Sequence, residues 1–247
     1  MTQRTGVDES QRKAARVVGF VYLFSMAAGI FTEAFGRGQL IVADNAAETA
    51  RNIVAHEQLF RLGIASYLLS QASDVALISA LYVILERVNR NLALFAAFMR
   101  VVQAAIGVVA TLESFDVLRF LGGAAYLQAL RADQLQALAR IPLGVYGERV
   151  NVSFVFLGLG SAVFGYLWFK SNYIPKVLAG LGVFGSLLLA AGSFAFIIFP
   201  NLSKILLPAY FAPLGLFEVT MGFFLLFKGI QAPSVADSTA PPRHAKP

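Results

Sequence analysis

Six long apolar runs are the feature of this sequence that most restricts its fold. A helix crosses the roughly 30 Å hydrocarbon core of a bilayer in about 20 residues, and each run is about that long or longer. The chain is 57% hydrophobic and only 14% charged, which leaves too little polar surface for a soluble domain of 247 residues. We therefore predict an all-α, polytopic integral membrane helix bundle with six transmembrane helices. The runs are residues 17–35, 59–85, 92–112, 150–169, 177–199 and 209–227.

The polar segments divide the chain into three parts. Residues 1–14 form a polar N-terminal tail, and residues 15–230 form a six-span membrane domain. Residues 231–247 are rich in Pro, Ala and Ser, and we expect this C-terminal tail to be disordered. The first apolar run is too long for the core of a signal peptide, so we expect it to be retained as a span.

The two longest loops are expected to contain extra short amphipathic helices. Asn45 followed three residues later by Glu48 is a capping pattern, which predicts a helix in the first of these loops. Leu127, Leu130 and Leu138 recur at helical spacing in the second. That second helix either lies on the membrane surface or packs on the other spans.

Spans four and five are rich in small residues at three- and four-residue spacing, among them Gly158, Gly165, Gly182 and Gly185. Small side chains let two helices approach closely in a membrane. We therefore expect these two spans to pack against each other.

One charge lies deep inside an apolar run. Arg100 belongs to the run 92–112, and insertion of an arginine at that depth costs roughly 2.5–3.5 kcal/mol, so it requires partners. Asp74 and Glu218 lie at similar depth in other runs. At about 1.5 Å per residue, all three residues are roughly 13–17 Å from the predicted cytoplasmic end of their run. We expect these three residues to form one cluster. Because one arginine faces two carboxylates, a proton, a cation or a substrate group must neutralise the excess negative charge.

Further polar residues lie in or beside the halves of the runs that are predicted to face the outer side of the membrane. Gln71 and Gln103 join the three charged residues as candidates for binding a ligand or an ion. The remaining polar positions predict a vestibule that opens to the outside and is closed towards the cytoplasm. Its candidate residues are Glu33, Arg61, Ser70, Arg149 and Asn151.

The distribution of basic residues predicts the orientation. Six crossings place both termini on one side, and the short turns on that side carry Arg87, Arg90, Lys170 and Lys176. By the positive-inside rule, both termini face the cytoplasm of a cell whose inner (plasma) membrane holds this multi-pass chain. The expected partners are the lipid bilayer and a small solute or a proton. No basic–aromatic stripe is present, so nucleic acid is not expected as a partner.

Several kinds of chemistry are not expected. The chain has no cysteine, and its two histidines, His56 and His244, lie outside the apolar runs. The spans therefore offer no histidine as a metal or haem ligand, or as a base for Ser161. We predict no catalytic residues, no metal site and no cofactor.

Five segments resemble a bacterial membrane-protein family known as domain of unknown function 4386. They are residues 15–33, 42–68, 92–105, 155–187 and 217–230, and together they cover most of the chain outside the two tails. The resemblance implies a six-helix integral membrane protein. It implies no activity, substrate or site residues.

These observations lead to one functional hypothesis and two alternatives. The first is a small membrane protein that transports or senses a small solute through an outward-facing polar cavity. The alternative is a structural or assembly subunit whose intramembrane charges only fix helix packing. A distant third is an intramembrane enzyme.

Overall fold

The computed structural model describes residues 8–42, 45–123, 127 and 129–231, with the backbone alone over 203–209. These residues form helices and contain no strand, so the all-α prediction is confirmed. Residues 1–7 of the predicted N-terminal tail and residues 232–247 of the predicted C-terminal tail lie outside the described ranges. The helices are α1 (Glu9–Phe31), α2 (Ala46–Ala55), α3 (Glu57–Leu121), α4 (Ala132–Gly144), α5 (Tyr146–Ser171), α6 (Lys176–Ile198) and α7 (Ser203–Phe227).

Five helical stretches among the described residues are long and apolar enough to cross a membrane, where the sequence shows six apolar runs. The difference arises in α3, whose 65 residues contain both the second and the third run. Its backbone leaves the helical conformation at Asn89 (φ −161°, ψ 107°). The Asn89 side chain accepts a hydrogen bond from the Leu92 amide at 3.0 Å, which caps the helix that follows.

The chain reverses direction at Asn89, so α3 is a helical hairpin. We call residues 57–88 its first arm and residues 90–121 its second arm. The Gln103 amide donates to Gln71 Oε1 at 3.4 Å across the two arms, and Arg100 pairs with Asp74 in the same antiparallel register. The second arm continues to Leu121, about two and a half turns beyond the predicted end of the third run.

The long helices and the two arms of α3 form a closed ring of antiparallel neighbours. The order around it is α1, first arm, second arm, α5, α6, α7 and back to α1. Glycines allow the closest approaches, as the sequence predicts for α5 and α6. A Cβ on Gly158 of α5 would lie 2.6 Å from the Ser186 carbonyl of α6. A Cβ on Gly19 would lie 2.8 Å from the Gly222 carbonyl, where α1 meets α7.

The two ends of the ring differ. At one end, which we call the tail end, Gln11 donates to the Ile84 carbonyl at 3.1 Å and to the Tyr173 hydroxyl at 3.4 Å. The Gln231 amide reaches the Tyr173 carbonyl at 2.9 Å, so both ends of the described chain and the α5–α6 turn meet there. The opposite end, which we call the loop end, holds α2, α4 and a π-helical extension of α1, Thr32–Arg37.

Each of the two long loops contains a helix at the loop end, but the second begins at Ala132, so of the three leucines that predicted it only Leu138 lies in it. Asn45 Oδ1 accepts from the Glu48 amide at 3.0 Å, so the predicted cap of α2 is confirmed. α4 packs on the other helices through Ala139, which is buried with Ile53 and Phe60. Of the two placements predicted for this second helix, the packed one agrees with these contacts.

Large apolar side chains cover the outer surface of the ring, and several polar side chains are buried within it. Phe20, Phe98, Leu112, Phe184 and Leu216 are about 60% exposed on the outer surface of the ring. Polar side chains are buried within it: Gln71, Arg100, Gln103, Ser161 and Ser186. A soluble domain does not expose so many large apolar side chains, and this surface matches helices whose outer faces lie against lipid.

Candidate functional site

An ion pair lies inside the ring between the two arms of α3. Arg100 Nη2 is 3.5 Å from Asp74 Oδ2, and the side chains are 2% and 13% exposed. The hairpin explains the pairing, because the short turn at Asn89 brings equivalent depths of the two arms side by side. A charge pair this well buried survives only with further hydrogen bonds to its remaining groups.

Ser161 of α5 supplies one of those bonds. Arg100 Nη1 donates to the Ser161 hydroxyl at 2.8 Å. The neighbouring Gly160 makes the approach of α5 possible, since a Cβ there would lie 3.0 Å from the Ala96 carbonyl and from Arg100 Cγ. Ser161 therefore accepts a hydrogen bond from the buried guanidinium, a role that its local sequence does not indicate.

Glu218 and Tyr22 face this pair from the other side of the ring. Glu218 of α7 is within electrostatic range of both Arg100 and Asp74, and Tyr22 of α1 is within range of all three. Among the described residues, however, no cation lies within 4 Å of the Glu218 carboxylate. The structure thus makes a tight pair of Asp74 and Arg100 and leaves Glu218 beside it. We call Tyr22, Asp74, Arg100, Ser161 and Glu218 the central cluster.

Two glutamines continue the polar interior from the central cluster towards the loop end. Besides the Gln103–Gln71 bond, Ser153 donates to the Gln103 carbonyl at 3.3 Å. The space for Gln71 is created by Gly107, where a Cβ would lie only 2.4 Å from the Gln71 amide. Tyr67, one turn nearer the loop end, is within electrostatic range of Asp74 and of Glu33. Tyr67, Gln71, Gln103 and the central cluster are called the polar column below.

Two buried polar atoms in this column have no hydrogen-bond partner among the described residues. They are Arg100 Nε and Gln103 Oε1, on side chains that are 2% and 5% exposed. One is a donor and the other an acceptor, and they lie one helical turn apart on the second arm. A buried polar group without a partner costs about 1–3 kcal/mol, so water or a ligand is expected to reach them.

A second polar group closes the loop end. The Tyr146 hydroxyl donates to Glu33 Oε1, and the Arg37 guanidinium stacks on the Tyr146 ring at 3.5 Å. Arg149 forms an ion pair with Glu113 and donates to the Pro142 carbonyl at 2.6 Å. Glu33 and Arg149 are predicted from the sequence, whereas their partners Glu113 and Tyr146 are not, because both partners lie outside the apolar runs.

A cleft of about 30 Å³ lies behind this group, with room for about two water molecules. It runs between the π-helical extension of α1, the two arms of α3 and the start of α5. Beside the cleft, the π-helical extension and the first arm approach each other closely because Gly36 and Gly63 touch, with a Cβ on Gly36 only 3.0 Å from the Gly63 Cα. Its polar lining residues are Thr32, Arg37, Tyr67, Thr111, Ser114 and Tyr146.

None of the five predicted vestibule residues lines this cleft, although Glu33 and Arg149 belong to the polar group beside it. Arg61 is exposed and pairs with Glu57 at 2.7 Å on the outside of the first arm. Ser70 is buried beside Gln71, and Asn151 is partly buried on α5. On the tail side of the central cluster the interior is apolar, with Leu77, Leu81, Ile84 and Trp168 at most 1% exposed.

A bundle of long apolar helices with an apolar outer surface and an ion pair in its interior defines a multi-span integral membrane protein. The chain belongs to the family described as Domain of unknown function (DUF4386), whose model matches residues 17–229. The resemblance drawn from five segments is thereby confirmed over nearly the whole described chain. No curated protein and no solved structure matches the sequence.

Proposed function

We propose that the protein binds a small polar solute in the polar column, for transport or sensing, and that the solute enters from the loop end. The observation that carries this proposal is the asymmetry of the interior. Polar side chains extend from the cleft to the central cluster, and apolar side chains fill the ring between the cluster and the Gln11–Tyr173 contact at the tail end. A column used only for helix packing has no need to be polar on one side alone.

We further infer that both arms of α3 cross the membrane, which gives six crossings with both termini in the cytoplasm. The support is the charge of the short tail-end turns. Arg87 and Arg90 flank Asn89, and Lys170 and Lys176 flank the α5–α6 turn. Short loops rich in Lys and Arg remain on the cytoplasmic side, here of the cell inner membrane.

A thermal-shift screen of purified protein tests solute binding. Amino acids, amines, sugars and carboxylic acids are added singly, and we expect one class to raise the Tm. Gln103→Ala should remove that shift, because it deletes the amide in the column. Arg61→Ala is the matched control, since its exposed side chain lies outside the column, and it should keep the shift. A screen in which no class raises the Tm would count against the proposal.

The second candidate function is structural, and the deep burial of the Asp74–Arg100 pair favours it. Arg100→Gln should lower the free energy of unfolding by about 3–5 kcal/mol, because it leaves Asp74 buried without its cation. Adding Asp74→Asn should recover most of that loss. If the double variant also keeps the full solute response, the pair serves helix packing only. If it is stable but no longer responds to solute, the pair belongs to the binding site.

A further inference from the structure

The charges in the central cluster do not balance. Arg100 is 3.5 Å from Asp74, so its charge is neutralised within that pair. Glu218 is the second carboxylate, and no cation among the described residues lies within 4 Å of it. The groups that face it are Arg100 and Asp74 from α3 and Tyr22 from α1. The side chains that α6 packs against this part of α7 are uncharged.

The surroundings of Glu218 restrict what can neutralise it. Neither the loop-end cleft nor the smaller cavity under α2 and α4 is lined by Glu218, so neither holds a solute against it. A metal ion would require several oxygen ligands next to a guanidinium, and among the described residues no three acidic or histidine side chains are grouped so that they could hold one. A proton needs no cavity and no ligand set.

The unpaired atoms of the polar column supply the second observation. Arg100 Nε and Gln103 Oε1 are buried without partners, next to the cluster and on the side of the cleft. Asp74 and Glu218 both keep partial exposure, while Arg100 is almost completely buried. Water that satisfies the two unpaired atoms would connect the cleft with the carboxylates, and such a chain of hydrogen bonds can carry protons.

We propose that Glu218 is a proton-binding site of the central cluster and that it exchanges one proton with the loop end through the polar column. Asp74 makes this possible because it forms the ion pair with Arg100, so that Glu218 has no cation of its own among the described residues. The step is a simple acid–base equilibrium: the Glu218 carboxylate and one proton from water give the neutral carboxyl group. This proposal deepens the proposed function and rests on it for the route, since solute and proton share the column. Proton exchange at such a site is the chemistry by which a membrane protein couples to a proton gradient.

Infrared spectroscopy of the full-length protein in lipid nanodiscs tests the proposal without any added solute. A neutral carboxyl group gives a C=O band separate from that of carboxylates. We expect one such band at pH values above the range near 4.3 where exposed glutamates titrate, and we expect it to vanish as the pH is raised further. Glutamate labelled with ¹³C at the side-chain carboxyl should shift the band, and labelled aspartate should not. An unshifted band in glutamate-labelled protein overturns the assignment, and this test requires no variant to fold.

Three variants sharpen the result. Glu218→Gln should lose the band. Glu148→Gln, at an exposed glutamate with no partner among the described residues, should keep it. Asp74→Asn should also lose it, because Arg100 then pairs with an ionised Glu218. Persistence of the band in Glu218→Gln or in Asp74→Asn overturns the proposal. So does loss of the wild-type band when sodium replaces choline at constant ionic strength, since a metal cation would then occupy the site.

The two proposals can fail separately. A protein that shifts its Tm with a solute but shows no glutamate band binds solute without the proton site. A protein with the band and no solute response contradicts the proposed function and leaves the proton site in place.

Discussion

At the scale of single residues, glycines leave the space that buried polar side chains occupy. Gly107 leaves the space that Gln71 occupies, and Gly160 leaves the space beside Arg100. In both cases a small residue on one helix admits a polar side chain from another. The glycines of this chain therefore serve the polar column as well as the helix contacts that their spacing predicts.

Gly107→Ala tests this role. The added Cβ would lie 2.4 Å from the Gln71 amide, so Gln71 must move and its bond with Gln103 must lengthen or break. We expect the free energy of unfolding to fall by about 1–3 kcal/mol, the usual cost of overpacking. Thermal unfolding in detergent measures the change.

The matched control is Gly29→Ala on α1, where no atom lies within 4 Å of the added Cβ. It should be neutral or stabilising by up to about 1 kcal/mol, because alanine favours the helix. Adding Gln71→Ala to Gly107→Ala should remove most of the clash. Equal losses for Gly107→Ala and Gly29→Ala would contradict the role given to Gly107.

At the scale of elements, the α3 hairpin positions the site. Its turn places Asp74 opposite Arg100 and Gln71 opposite Gln103, so the register of the two arms decides whether the column exists. Asn89 starts the second arm by capping it. The π-helical extension of α1 then widens the loop end, where the cleft lies.

Asn89→Ala removes that cap and should lower the free energy of unfolding by about 0.5–2 kcal/mol. Asn89→Asp keeps an oxygen that can accept from the Leu92 amide, so it should unfold like the wild type. Asn91→Ala, an exposed position two residues further on, controls for a general effect of substitution at the turn. A loss in Asn89→Asp as large as in Asn89→Ala would show that the cap does not matter.

Hydropathy predicts the spans well because each helix satisfies its own backbone hydrogen bonds and needs an apolar exterior. The Asp74–Arg100 pairing can also be predicted from the sequence, because the turn between the two runs is short and makes them neighbours. The partners from distant helices do not follow. Ser161 reaches Arg100 because α5 packs on the second arm, and Tyr22 comes near Glu218 because the ring closes between α1 and α7. No local pattern encodes either contact. Glu113 was missed because the second arm continues further than hydropathy alone indicates.

At the scale of the whole molecule, the ring separates two environments. Its outer face is apolar, its loop end carries charged groups around a cleft, and its tail end is held together by Gln11, Ile84 and Tyr173. The proposed function requires that only the loop end admits water to the column. That requirement can be measured from either side of the membrane.

Single cysteines provide the measurement, because the chain has none of its own. Asn91→Cys at the hairpin turn should react with a charged thiol reagent from the cytoplasmic side only. Gly147→Cys at the loop end and Ser114→Cys in the cleft should react from the opposite side. Phe98→Cys, on the lipid-facing surface, should react from neither. Reaction of Ser114→Cys with reagent added only to the cytoplasm would sink the proposed direction of access.

The hairpin also has a consequence for biosynthesis. Ribosomes add about 5–20 residues per second, so Arg100 follows Asp74 into the translocon within a few seconds. The two arms can leave together as one neutral pair, and the lipid never has to accept an unpartnered arginine. Glu218 is synthesised much later and meets a guanidinium that is already occupied. The order of synthesis therefore favours the arrangement seen in the folded ring, in which Arg100 pairs with Asp74 and Glu218 lies beside the pair.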